Sequence, residues 1–284
     1  MKKRLMLFVG LVLLCVGLVA CGKTEKSGST NRNVSELANA SKYEPTLFFH
    51  GWGSSYRAED QMAQSLVKAG LTKTIMRATV SKTGKVTLTG RFHKHDYQPI
   101  VEVNFQDNRN GNSQQWGRWA KATVIKLQQT YHIKKFNMVG HSMGNMAIMF
   151  YLLGNTKSLP KLQKQVDIAG HFNGILGMGD KPNQMMLNRA GKPNKMQTDY
   201  RSLLKLRQTY PKNQIAVLNV YGNKQDGSHS DGSVSNASSK SLRYLVATRA
   251  KSYQEQQITG PNAQHSKLHE NKQVDKLLIN FLRN

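Results

Sequence analysis

From Tyr43 onward, short apolar runs alternate with longer stretches in which apolar residues return every three or four positions. The runs TLFFH (46–50), PIVEVNF (99–105), FNMVG (136–140), VDIA (166–169), IAVLNVY (215–221) and YQEQQI (253–258) have strand length and strand composition. Between them the period changes to that of a helix. Trp116, Trp119, Thr123, Leu127 and Tyr131 mark one amphipathic stripe, and Val274, Leu277, Leu278, Phe281 and Leu282 mark the last. Strands alternating with helices predict an α/β domain, a mostly parallel central sheet with helices on both faces.

Two stretches break the alternation. Residues 77–97 carry Lys85-Val86-Thr87-Leu88-Thr89 after a Thr-Gly turn, which predicts an inserted hairpin. Residues 171–200 are rich in Gly, Pro, Asn and Met and have no clear period. A long irregular segment inside a compact domain is usually functional, and a lid is the expectation here. Its Met178, Met185, Met186 and Met196 suit either an adaptable wall for acyl chains or ordinary core filling.

The strongest chemical signal is FNMVGHSMGNMAIMFYLL (136–153). An apolar strand runs into Gly140-His141-Ser142-Met143-Gly144, and an apolar helix follows. A serine at such a turn is pushed out over the sheet edge, and the flanking glycines remove side chains that would clash. Ser142 is therefore the expected nucleophile, with the helix N-terminus favouring negative charge beside it.

These residues, with FFHGWGSS, VEVNFQDNRNG, SDGSVSNASS and HSKLHEN, resemble a lipase- or esterase-like α/β-hydrolase. The resemblance spans about residues 44–284. Within that fold the chain is similar to an uncharacterised family of secreted or lipid-anchored hydrolases of Gram-positive bacteria, known as a domain of unknown function. Many members have Gly where this chain has Asn145. The resemblance implies an oxyanion hole formed by the backbone N–H groups of Trp52 and Met143, with His50 bracing the loop rather than reacting. It implies an acid placed just before a short apolar segment and a helix, which favours Asp231; Asp226, or Asp167 from another strand, are alternatives. It also implies a base about nine residues before the first buried aliphatic of the last helix. Counting back from Val274 favours His265, with His269 as the alternate. His93, His95, His132, His171 and His229 have no motif around them and are expected in loops or at the surface.

Composition then limits the partners. Lys+Arg of 41 against Asp+Glu of 16 gives a net charge of +25. Such a surface attracts membranes or anionic wall polymers. No zinc-finger spacing or basic–aromatic run points to nucleic acid. No metal is expected: the Asp-Gly-Ser alternation of 226–233 lacks the bidentate Glu of a calcium loop. The chemistry expected of these residues needs no organic cofactor.

The first residues read as an address. Met1-Lys2-Lys3-Arg4 precedes the apolar run Leu5–Ala20, shorter than the roughly 20 residues of a comfortable membrane span. Leu18-Val19-Ala20-Cys21 is similar to a bacterial lipobox, in which Cys21 would carry the lipid; the alternative is an ordinary signal with a chance cysteine. The expected organisation is a leader at 1–21, a flexible tether at 22–42 and a hydrolase domain at 43–284. The expected location is the outer face of the cytoplasmic membrane of a Gram-positive-type bacterium. The functional expectation is cleavage of a small-molecule or lipid ester through an acyl-enzyme. The alternatives are a surface acyltransferase, or a non-catalytic basic lipoprotein that binds anionic polymers.

Overall fold

A computed structural model describes residues 42–284. The leader, the lipobox with Cys21 and the tether up to residue 41 lie outside the described residues. Among the described residues no helix is long and apolar enough to cross a membrane.

The strands in chain order are β1 (Thr46–Phe49), β2 (Ile75–Val80), β3 (Val86–Thr89), β4 (Ile100–Phe105), β5 (Lys135–His141) and β6 (Lys161–Ile168). There follow the two-residue strands β7 (Ile175–Leu176) and β8 (Gly179–Asp180), then β9 (Ala216–Asn223) and β10 (Ser252–Thr259). Eight of them form one sheet in the order β10-β9-β6-β5-β1-β4-β2-β3. Every pairing in it is parallel except β2 with β3, which is the hairpin anticipated from residues 77–97. Its first arm does more than turn back: β2 also pairs with β4 and extends the parallel sheet. β2 buries only alternate residues, so its polar half hides it from a search for apolar runs.

β1 shows how the sheet separates two cores. All four of its residues are buried. Leu47 and Phe49 point to one face, where they join the helices Ser113–Tyr131 and Met143–Leu153 through Trp119, Val124, Met146 and Phe150. Phe48 points to the other face, where Met62 and Leu66 of the helix Asp60–Lys68 and Val274, Leu278 and Leu282 of the helix Lys272–Arg283 cover it. The period-2 alternation of a strand thus meets two helical stripes, one per face.

The two helices first recognised from their stripes each carry an asparagine N-cap. Asn112 accepts a hydrogen bond from the Gln115 N–H, and Asn271 accepts one from the Gln273 N–H. The first of these helices ends at His132 in a left-handed conformation. At the sheet's ends stand β3, with no fully buried residue, and β10, in which only Ile258 is buried.

Candidate active site

The parallel strands all end at one edge, and the loops there carry the chemistry. β5 runs into Ser142 at φ 53°, ψ −115°, a backbone conformation that side-chain-bearing residues rarely adopt, and the helix Met143–Leu153 begins at the next residue. Its neighbours make the turn possible. A Cβ on Gly144 would lie 2.1 Å from the Phe49 carbonyl oxygen, and one on Gly140 would lie 2.7 Å from the Asn145 nitrogen. Asn145 fastens the turn to β6. Its Nδ2 donates to the carbonyls of Ser142 (3.0 Å) and Ile168 (2.8 Å), while its Oδ1 accepts the Ile168 N–H at 3.2 Å.

Three residues far apart in the chain meet in series. The Ser142 hydroxyl lies 2.9 Å from His265 Nε2, and His265 Nδ1 lies 2.8 Å from Asp231 Oδ2. Asp231 is buried, and its other oxygen accepts the N–H groups of Ser233 (2.8 Å) and Val234 (2.7 Å). These bonds fix the carboxylate's orientation. The His265 backbone N–H also donates to the Asp231 carbonyl at 2.9 Å, so the two residues are joined twice. With Nδ1–H donated to Asp231, the Nε2 lone pair faces the hydroxyl. That is the tautomer needed to receive its proton.

The alternates sit elsewhere. Asp226 is exposed, 2.8 Å from Lys224 Nζ, and hydrogen-bonded to Ser228; these partners hold its carboxyl below the usual range. Asp167 is fully buried on β6 and accepts from Gln165 at 2.8 Å. His269 packs edge-on against His141, with ring centres 4.8 Å apart, and its pKa is lowered chiefly by burial.

The loop after β1 rests on the serine. A Cβ on Gly51 would lie 3.4 Å from the Ser142 Cβ. Gly53 N–H donates to the Asn108 carbonyl (2.8 Å), and the Asn108 side chain donates to the Ser54 carbonyl (2.6 Å), pinning this loop to the one after β4. His50 braces it from below. Its Nδ1 donates to the Gly51 carbonyl at 2.8 Å and its Nε2 accepts the Phe105 N–H at 3.0 Å. Burial lowers the pKa of His50, consistent with a neutral ring serving both bonds. Trp52 follows, 57% exposed, with the Arg109 guanidinium 5.6 Å from its ring centre. Met143 is buried at the first position of its helix.

His141, which carried no expectation of its own, is part of the same cluster. It is buried, its Nε2 donates to the His265 carbonyl at 3.0 Å, and its ring lies 5.0 Å from that of His265. Burial, and the nearby His265 and His269, hold its pKa well below the ordinary value, so the ring is neutral. His171 is only partly exposed. Burial first, and His265 second, lower its pKa to about 4. Its position after β6 was legible; its proximity to His265 was not.

The irregular segment 171–200 is tied to the loop that bears Asp231. Leu176 N–H donates to the Ser233 carbonyl (2.9 Å), and the Ser235 hydroxyl donates to Asp180. Asn173 is buried and holds both the Lys195 carbonyl and the Gln197 N–H. Its methionines divide: Met178 and Met186 are 73% and 64% exposed, whereas Met196 packs against the core.

Comparison with known proteins agrees with this architecture. Residues 34–284 match a family described as alpha/beta hydrolase of unknown function, DUF915. The solved structure of the lin2722 gene product of Listeria innocua superimposes with a TM-score of 0.76 at 25% identity, covering 85% of this chain and 94% of that one. A candidate cell surface hydrolase from Lactobacillus plantarum superimposes with a TM-score of 0.68 at 22% identity, covering 85% and 90%. No curated protein matches the sequence.

Proposed function

The chain belongs to the DUF915 family of α/β-hydrolases, and from that premise we propose that it is a serine esterase in which Ser142, His265 and Asp231 act as a triad. The observation that carries this reading is the unbroken series Ser142 Oγ, His265 Nε2, His265 Nδ1, Asp231 Oδ2, with links of 2.9 and 2.8 Å.

His265 takes the hydroxyl proton as Ser142 Oγ bonds to the ester carbonyl carbon. The N–H groups of Trp52 and Met143 hold the resulting oxyanion, and each such donor is typically worth about 10²–10³ in rate. Collapse expels the alcohol, which receives the proton from His265 and leaves an acyl-serine. Water then attacks the acyl carbon with His265 again as base, releasing the acid and restoring Ser142. The Asp231 carboxylate stabilises the imidazolium in both halves. Exposed Trp52, Met178 and Met186 offer apolar surface to an acyl chain.

The lipobox-like Leu18-Val19-Ala20-Cys21 supports a lipid-anchored protein on the outer face of the cytoplasmic membrane. The catalytic proposal is tested with a fluorophosphonate probe and a short chromogenic ester. Wild-type protein labels, Ser142→Ala does not, and His265→Ala loses at least 10³-fold in kcat while His269→Ala stays within tenfold. Folded wild-type protein that takes no label ends the esterase reading. An inactive His269→Ala beside an active His265→Ala moves the base.

A further inference from the structure

Because the large sheet is parallel apart from β3, its long strands begin at one edge, opposite the edge that carries Ser142 and His265. Register sets lysines side by side there. Lys135 opens β5 and pairs with Lys161, which opens β6, and the Lys161 N–H donates to the Lys134 carbonyl at 2.8 Å. Lys251 stands just before β10, fixed by its N–H to the Ile215 carbonyl at 2.8 Å. The side chains of Lys134, Lys135, Lys161 and Lys251 are all exposed. Lys251 is near enough to Lys164 to reinforce the lowering of its pKa by burial, against the opposing pull of Glu44.

Little on this edge neutralises that charge. Glu44 is half-buried, and the Asp96 carboxylate is buried and occupied by the Thr72 hydroxyl (3.0 Å) and the Lys73 N–H (2.9 Å). Among the described residues one Lys–carboxylate ion pair lies within 4 Å, Lys224 with Asp226, in the loop after β9 at the opposite edge. The lysines at the strand starts therefore form a row with no ion-pair partner among the described residues; Lys135 and Lys161 sit on neighbouring strands about 4.8 Å apart, and Lys251 lies beyond β9, two strands from Lys161.

We propose that this edge is the face that lies on an anionic phospholipid bilayer. A bilayer is favoured over a soluble polyanion by where the chain arrives. Lys42 and Tyr43 lead into β1 at this same edge, next to β5, so the segment bearing the apolar run Leu5–Ala20 joins the domain on the lysine side. A lysine close to an anionic leaflet strengthens association by roughly fivefold, so the row suffices to orient a domain already held nearby. Ser142 then opens away from the bilayer. This inference does not depend on the esterase reading.

Lysine acetylation footprinting of the full chain tests it, using vesicles of phosphatidylcholine with or without about one-third phosphatidylglycerol. On the anionic vesicles Lys134, Lys135, Lys161 and Lys251 should acetylate at least fivefold more slowly than on neutral ones, while Lys181 and Lys267 at the opposite side change less than twofold. In K134Q/K161Q/K251Q the protection of Lys135 should fall below twofold, with turnover of a soluble ester unchanged. Protection at Lys181 and Lys267 instead, or equal protection on both vesicles, overturns the proposal. So does protection by soluble poly(glycerol phosphate) with none on vesicles, which would make the edge a polymer site.

Discussion

His141 precedes Ser142 yet turns its Nε2–H toward the carbonyl of His265, 124 residues later. Replacing it with Phe removes that bond and lets His265, the proposed base, drift. Losing one hydrogen bond of about 1 kcal/mol, amplified by misplacement, is expected to lower kcat about tenfold with KM nearly unchanged. His141→Gln, which keeps a side-chain N–H donor, should recover most of the rate. Equal losses in both variants would show that ring volume matters rather than the bond. Ser142 was legible because its motif is local, and Asp231 and His265 were legible through spacing relative to neighbouring elements. The part played by His141 was not, since a contact between side chain and distant backbone leaves no period or motif.

Asp167 makes a pH-dependent prediction. Burial pushes its carboxyl up to about 8, against the opposing effect of the Gln165 hydrogen bond. The folded protein thus keeps the proton where the unfolded chain, titrating near 3.8, has lost it. Stability falls as pH rises between those values, by about 1.4 kcal/mol per unit at most. Glu102, raised to about 7 chiefly by burial, adds in the same direction. Asp167→Asn should therefore raise Tm at pH 8 more than at pH 4.5. A pH-independent difference between the two proteins' melting curves would contradict the assigned protonation.

Among the elements, the joint between β5, its following helix and β6 depends on Asn145. Its amide makes all three bonds described above, reinforcing carbonyls of Ser142 and Ile168 that also accept the backbone N–H groups of Asn145 and Ser142. Asn145→Ala and Asn145→Gly should each cost about 2 kcal/mol, given about 0.5–1.5 kcal/mol net for each of the bonds lost, readable in urea unfolding. A cost below 0.5 kcal/mol would mean that the joint is held elsewhere. The sequence marked Asn145 only as a departure from Gly, because the carbonyl it serves belongs to another strand. Apolar runs located most of the long strands to within a few residues. β2 escaped because alternation on a half-buried strand dilutes its apolar signal. In segment 171–200 polar side chains such as Asn173 and Gln197 replace hydrophobic spacing as the organising contacts, so no period existed to be read.

For the whole molecule, a charge of +25, with one Lys–carboxylate ion pair among the described residues, means self-repulsion that compactness worsens. Salt shortens the reach of that repulsion from about 30 Å at 0.01 M to about 8 Å at 0.15 M. Tm should rise by several degrees over that range, and only a minor part of the gain should already be present in K134Q/K161Q/K251Q at low salt, because the variant removes three of the excess charges. A Tm that is flat or falls with salt would mean that the lysines are compensated. The helix–sheet–helix architecture itself was legible throughout, since alternation of strand and helix depends on composition averaged over many residues.

The two ends of the sheet, β3 with no fully buried residue and β10 with Ile258 alone, bear on how these molecules stand beside one another. An unpaired strand is a template for polymerisation when it is flat and apolar. Here a neighbour docking edge to edge would gain backbone bonds but almost no hydrophobic contact, and it would bring like charges together. Crowded in two dimensions, copies of this domain would therefore gain little by pairing sheet to sheet at β3 or β10.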